Sequence, residues 1–293
     1  MIIGSRGSRL AMTQVDIAME ALRPFLPGID IKVRVVSTGG DRDKCTPLQD
    51  MGGYGVFTKE LDQRLLSGEI DLAINSLKDM PSVVTPGTKL VAVLPRGPVH
   101  DVLISRTPFE TLAPGAKVGT SSVRRKALVR YLRPDLKVSE LRGNVTTRIG
   151  KWRRGEYDAI VLAAAGLERI GEHAPAIVLD PDVWVPPAGQ GAIALVCREN
   201  EPLAERLSEV DHEPTRMCVD MERGIMAGLG ANCQVPLGVL ARPIGMKVQL
   251  QCLLLDGEGS QARRWRSELP LHYELNDVRT VVDALKKEWR GLL

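Results

Sequence analysis

SGEIDLAI (67–74) and RGEYDAIV (154–161) share the pattern Gly-Glu-x-Asp and then run into apolar residues. An amphipathic stretch precedes each glycine, and a short apolar run follows each aspartate. That pattern is a helix, a turn closed by glycine, and a buried strand. The flanking order matches too. Residues 57–66 read as a helix stopped by Gly68, and 72–74 as a strand. Residues 146–154 read as a helix, and 159–164 as a strand. A turn of this kind is common by itself. The matching order on both sides points to one architecture used twice.

Working outward, residues 2–3 open a strand, 10–26 read as a helix, and 31–37 (IKVRVVS) alternate like a strand. Residues 38–55 (TGGDRDKCTPLQDMGGYG) are rich in glycine and charge and have no period, as expected of a loop or lid. Residues 117–119 form a strand and 123–132 a helix with Val123, Ala127, Leu128 and Leu132 on one face. A strand at 138–141 then ends at Arg142. Strands alternating with helices imply parallel sheets. After about residue 203 the pattern changes. A helix at 213–229 precedes strands at 239–242, 247–255 and 263–269, with DGEGS (256–260) as a hairpin turn and a last helix at 276–290. That order suggests a small domain with an antiparallel sheet.

The chain of 293 residues has 44% hydrophobic and 26% charged residues, ordinary for a packed globular protein. A net charge of +3 is too small to point to nucleic acid, and no RNP-like aromatic motif accompanies the basic runs. The five cysteines are irregularly spaced, with no Cys/His cluster, so no metal site is expected. The N-terminus MIIGSRGSRLA lacks the apolar run of a signal peptide, and no segment approaches the roughly 18 apolar residues of a membrane span. We expect a reduced, cytoplasmic protein that acts as a monomer, without nucleic-acid or membrane partners.

Cations gather at predicted strand ends. Arg6 and Arg9 follow the first strand. In GTSSVRR (119–125), Ser121 or Ser122 can cap a helix whose first turn carries Arg124 and Arg125. Cations are disfavoured at that end of a helix unless an anion sits with them. Arg142 and Arg148 flank the next junction. Guanidinium groups grip carboxylates through paired hydrogen bonds, so the set suits a ligand with several carboxylates. Asp79 is the single acid among these cations. It suits hydrogen bonding to ligand N–H groups and stabilising a developing positive charge. By spacing alone it is an ordinary salt-bridge partner. Cys233 lies in the loop GANCQVPLG, where a thiol is open to chemistry, although a lone cysteine is more often a small buried hydrophobe.

In order, the chain shows GSRGSRLA, GGYGVFTKEL, INSLKDMP, GTSSVRR, LRGNVTTR, YDAIVLAAAGL, PPAGQGAIA and ANCQVPLG. It thereby resembles the porphobilinogen deaminase family over residues 4–238. The resemblance implies an enzyme that condenses four porphobilinogen molecules in turn, with loss of ammonia, and releases hydroxymethylbilane. Cys233 would hold a dipyrromethane cofactor by a thioether bond. Asp79 would contact pyrrole N–H groups, steady the azafulvene cation and help move protons. Lys78, Ser122, Arg124, Arg125 and Arg148 would bind the cofactor's carboxylates. Arg6, Ser8, Arg142 and Arg169 would bind substrate, and Phe57, Lys59 and Gln190 would belong to the lid and cleft. The implied fold is α/β: two periplasmic-binding-protein-like α/β lobes plus a small α+β C-terminal domain with an antiparallel sheet. The expected boundaries are 1–94 with 190–209, 98–186, and 213–293. Tyr54, Asn75, Arg9 and Ala231-Asn232 depart from the family's usual residues. The alternative reading is a non-enzymatic two-lobed binder of a polycarboxylate, which has no need of a pyrrole-linked thiol.

Overall fold

The structure, a computed structural model, describes residues 1–42, 55, 58–232 and 234–291. By contact the chain divides into two compact units, Met1–Gly97 with Gly191–Met217, and Pro98–Gln190 with Cys218–Leu293.

In the first unit, β1 (Ile2–Ser5), β2 (Lys32–Val35), β3 (Leu72–Ser76) and β4 (Thr88–Val93) share a sheet with β10 (Ile193–Arg198), in the order β2-β1-β3-β10-β4. β1 runs parallel to β2 and β3, and β10 antiparallel to β3 and β4. The unit also holds α1 (Arg9–Leu22), α2 (Gly39–Arg42), α3 (Lys59–Leu66) and α7 (Ala204–Ser208). α1 stops at Leu22, short of the expected 26. Pro24 has no N–H to donate, and the chain continues as a 3-10 turn, Arg23–Phe25. The expected loop 38–55 begins as the short helix α2, and residues 43–54 of it lie outside the described residues. Ile3, Val15, Leu22, Leu72, Ile74, Leu195 and Leu207 pack as one core.

The second unit repeats the design. β5 (Asp101–Ile104), β6 (Lys117–Gly119), β7 (Lys137–Ser139), β8 (Ala159–Ala163) and β9 (Ala176–Val178) are ordered β7-β6-β8-β5-β9. β6 is parallel to β7 and β8, and β5 is antiparallel to β8 and β9. Hence β6, β7, β8, β5 and β9 take the places of β1, β2, β3, β10 and β4. The helices α4 (Val123–Leu132), α5 (Val145–Arg153) and α6 (Ala164–Arg169) follow β6, β7 and β8.

The two Gly-Glu-x-Asp turns hold equivalent places and are built alike. Gly68 and Gly155 both have positive φ (74° and 76°), which ends each helix cheaply. The aspartate of each turn then latches the neighbouring strand. Asp71 Oδ2 accepts from Ile2 N at 2.8 Å, and Asp158 Oδ2 from Lys117 N at 2.7 Å.

The expectation of parallel sheets needs correction: each sheet is mixed. The antiparallel strands, β5 and β10, are those by which the chain enters one unit from the other. No βαβ crossover precedes them, so the rule that makes such strands parallel does not apply.

Past α8 (Glu213–Gly228), β11 (Leu237–Ile244), β12 (Lys247–Leu255) and β13 (Ala262–Pro270) form a three-stranded antiparallel sheet, followed by α9 (Leu275–Glu288). DGEGS closes the β12–β13 hairpin, with Asp256 Oδ1 accepting from Ser260 N at 2.7 Å. Leu240, Leu253 and Leu255 share a core with Leu103, Leu128 and Trp184, so this sheet packs within the second unit.

Candidate active site

In the first unit, the candidate residues stand at the carboxyl ends of two neighbouring strands. β1 runs into Arg6 and Ser8, both half-buried. Ser8 caps α1, its Oγ accepting from Ala11 N at 3.2 Å, which fixes the short reversal that carries Arg6. β3 runs into a single 3-10 turn, Leu77–Asp79. Buried Leu77 and Met80 anchor that turn, and Leu77 N donates to Ala192 O at 3.1 Å. Lys78 and Asp79 are half-buried on it. Asp62, Asp71 and Asp211 are all committed to protein donors. The Asp79 carboxylate enters no hydrogen bond or ion pair among the described residues. Lys59 is exposed at the start of α3, and Phe57 lies outside the described residues.

In the second unit, Ser122 caps α4, accepting from Arg125 N at 3.4 Å. Arg124 and Arg125 lie in the first turn, and the anion expected beside them is present. It is the protein's own Asp101, the first residue of β5, which is fully buried. Asp101 Oδ2 meets Arg124 Nη2 at 2.6 Å, and Oδ1 meets Arg125 Nη2 at 2.7 Å. This corrects the reasoning from helix polarity, because the odd placement of two arginines is balanced from within. Burial alone would raise the Asp101 carboxyl. The two guanidiniums override it and hold the carboxyl well below the usual range. Gln190, expected in the lid and cleft, is buried and braces Asp101. Its Nε2 donates to Asp101 Oδ1 at 2.8 Å and to Val99 O at 2.7 Å.

Arg142 stands in the loop between β7 and α5. Asn144 caps α5, accepting from Thr147 N at 2.8 Å. Gly143, at φ 118°, admits no side chain there, since a Cβ would meet Thr147 Cγ2 at 2.8 Å. Half-buried Arg148 donates from Nε to Gly143 O at 2.6 Å, and Arg169 ends α6. Ser122, Arg124, Arg125 and Arg142 thus follow directly on the carboxyl ends of parallel strands, where open α/β sheets bind ligands, whereas Arg148 stands one turn into α5 and Arg169 at the end of α6.

Cys233 lies outside the described residues. The described thiols can be judged. Cys197, Cys218 and Cys252 are free and buried. Burial pushes the Cys197 thiol up to about 11 and that of Cys252 higher still, so neither makes thiolate readily. Buried Glu222 on α8 accepts from Ala241 N at 2.9 Å and Gly189 N at 2.7 Å. It therefore joins the two elements that bracket the ANCQVPLG loop, and ties both to the GQG segment. Sequence reasoning missed Asp101 and Glu222. The one available signal for Asp101 is an acid heading the apolar run DVLI.

A family model described as the dipyromethane cofactor binding domain of porphobilinogen deaminase matches residues 1–206, and one for the C-terminal domain of that enzyme matches residues 216–281. The chain belongs to the porphobilinogen deaminase family. It is 41% identical to porphobilinogen deaminase of Roseiflexus sp. (strain RS-1), over 90% of this chain and 88% of that protein. It is 44% identical to porphobilinogen deaminase of Geobacillus sp. (strain WCH70), over 81% and 78%. Against the probable porphobilinogen deaminase of Methanothermobacter thermautotrophicus the identity is 40%, over 92% and 94%. Among solved structures, the VFT2 domain of Bordetella pertussis BvgS is 16% identical with a TM-score of 0.44, over 71% of this chain and 84% of that one.

The donor set fits the dipyrromethane cofactor of a porphobilinogen deaminase, a group bearing several carboxylates. Two guanidiniums against one carboxylate leave an excess positive charge at the start of α4. The Nε of Arg124 is buried without a hydrogen-bond partner. An unmet donor of this kind is costly unless a ligand acceptor reaches it.

Proposed function

We propose that the chain joins four porphobilinogen molecules, one after another, onto a dipyrromethane carried as a thioether on Cys233, and then releases hydroxymethylbilane by hydrolysis. At each joining the substrate's aminomethyl C–N bond breaks with loss of ammonia. A C–C bond forms from the methylene carbon to a free pyrrole α-carbon, whose proton then leaves. The bound dipyrromethane supplies the first such pyrrole carbon.

The chain's own residues divide the remaining work. Asp79 accepts pyrrole N–H groups, opposes the positive charge that appears as ammonia departs, and takes part in moving the proton. Assistance of this kind is typically worth about 10²–10⁴ in rate. Lys78, Ser122, Arg124, Arg125 and Arg148 hold the cofactor's carboxylates. Arg6, Ser8, Arg142 and Arg169 hold those of the incoming substrate, with Phe57, Lys59 and Gln190 in the lid and cleft and 38–55 as the lid. The reading keeps three functional segments, 1–94 with 190–209, 98–186, and 213–293, in a cytoplasmic monomer. Free Cys197, Cys218 and Cys252 suit a reducing compartment. Among the described residues, no helix is long and apolar enough to cross a membrane.

The observation that carries this reading is the uncommitted Asp79 carboxylate at the end of β3, in a chain whose other site candidates are mostly cationic. The test is an intact mass of the denatured protein. It should exceed the sequence mass by two linked pyrrole units, and added porphobilinogen should extend it in steps. A polypeptide mass equal to the amino acids alone, unchanged by porphobilinogen, would overturn the reading.

A further inference from the structure

We propose that Asp101 is a positioning residue for this reaction: it fixes the guanidinium groups of Arg124 and Arg125 that receive ligand carboxylates. The proposal rests on the functional reading above. The repeated sheet supplies an internal control. On β5, Asp101 faces Ala163, the last residue of β8. The same place in the first unit is Ile193 on β10, which faces Ser76, the last residue of β3. Counted from the capping serines, Arg124 and Arg125 stand where the first unit has Leu10 and Ala11. One lobe therefore closes this corner with Ile193 at 1% exposure, half-buried Leu10, and Ala11 at 8%. The other closes it with a carboxylate at 0% and guanidiniums at 4% and 6%.

The fold does not need those charges, since the first lobe builds the same corner without them. Burying three charged groups carries a desolvation cost that an apolar set avoids, and apolar replacement of buried ion pairs is often neutral or stabilising. A charged corner that the scaffold does not require has another use, and its geometry indicates which. Arg125 is held flat by two bonds to Asp101, from Nε at 3.1 Å and Nη2 at 2.7 Å, and by Nη1 on Val161 O at 3.1 Å. Arg124 is held at Nη2 by Asp101 and at Nη1 by Val185 O at 2.9 Å, while its Nε has no partner. Gln190 braces the remaining side of Asp101 and lies at the residue where the chain leaves the second unit. Asp101 thus orients both side chains and leaves net positive charge and one unmet N–H edge for a ligand.

The test compares wild type with Asp101→Asn, Asp101→Glu and Gln190→Met. It reads melting temperature, the fraction of folded protein carrying the dipyrromethane mass, and kcat and KM for porphobilinogen. Asp101→Glu keeps the charge but moves it. It should melt near wild type, yet lose about tenfold in adduct-bearing fraction and in kcat/KM, chiefly through kcat, because the substrate-binding arginines are untouched. Asp101→Asn should lose more of both. A folded Asp101→Glu or Asp101→Asn protein with wild-type adduct fraction and kcat/KM overturns the proposal. So does activity that falls only in step with melting temperature. Should neither aspartate variant fold, Gln190→Met decides, because it leaves both ion pairs in place. A fall of roughly threefold in kcat/KM at unchanged melting temperature supports the assignment, and unchanged kcat/KM overturns it. Wild type without any adduct would instead bring down the functional reading itself, which separates the two failures.

Discussion

The two lobes agree in the order and direction of their strands and part just beyond the strands' carboxyl ends. Both sheets have the same order and directions, the same Gly-Glu-x-Asp turn, and the same aspartate latch onto the first strand. They even pair alike, Gly4 with Ala73 and Gly119 with Ile160. Beyond the third strand they diverge. β3 continues into Leu77-Lys78-Asp79 as a 3-10 turn, whereas β8 continues into Ala164-Ala165-Gly166 as the start of α6. Beyond the first strand they diverge again, with Leu10 and Ala11 in one lobe and Arg124 and Arg125 in the other. The Asp79 carboxylate, without a hydrogen bond or ion pair among the described residues, belongs to one lobe, and the buried arginine pair to the other. A duplicated scaffold thus carries unlike side chains at equivalent strand ends, a carboxylate in one lobe and a buried arginine pair in the other.

The largest expected effect tests the first half of that division. Asp79→Asn should keep the fold, the melting temperature and the covalent adduct, and lower turnover by about 10²–10⁴. Steady-state rates beside an intact mass would check it. Normal turnover would mean that the difference between the two strand ends has no catalytic meaning.

The second test erases the difference. The triple variant Asp101→Ile, Arg124→Leu, Arg125→Ala gives the second lobe the corner of the first. Its stability should be unchanged or raised by about 1–4 kcal/mol, because three buried charges go together and none is left unpaired. Its adduct mass should be absent. Chemical denaturation with mass spectrometry reads both at once. A stable triple variant that still carries the adduct would show that the arginine pair is scaffold after all.

What the sequence disclosed follows the same line. The Gly-Glu-x-Asp turns were legible because glycine and aspartate act there through their own backbone neighbours, so the signal is local. Val123 to Leu132 was legible as a helix for the same reason, down to its ends. β4, β5, β9 and β10 were not identified, because short apolar runs have no period and their partners lie far along the chain. β10 pairs with β3 more than a hundred residues away, which no local pattern announces. The arginines of GTSSVRR were legible as oddly placed cations, but their partner was not. Asp101 lies 23 residues upstream of Arg124, heading a run that reads as an ordinary strand. Asp79 and Cys233 stood out through the family's motifs and not through spacing.

The smallest expected effect sharpens the shared part of the comparison, the latch. Asp71 is half-buried and accepts from Ile2 N and from Arg198 Nη2 at 3.0 Å, whereas Asp158 is exposed and has Lys117 N as its donor. Asp71→Ala should therefore cost about 1–3 kcal/mol, and Asp158→Ala about 1 kcal/mol or less. Burial would raise the Asp71 carboxyl, but the Ile2 N–H and the Arg198 guanidinium outweigh it and hold the value below the ordinary one. A depressed folded value means that the stabilisation is fully present above the unfolded carboxyl value of about 4, and is lost as pH falls through the folded value. The gap in unfolding free energy between wild type and Asp71→Ala should thus be constant from neutral pH down to about 5 and shrink below about 4. Denaturant melts across that range would read it. A gap that widened on acidification would mean that the Asp71 carboxylate is not what holds β1 to the turn, and the two latches would then be alike in shape only.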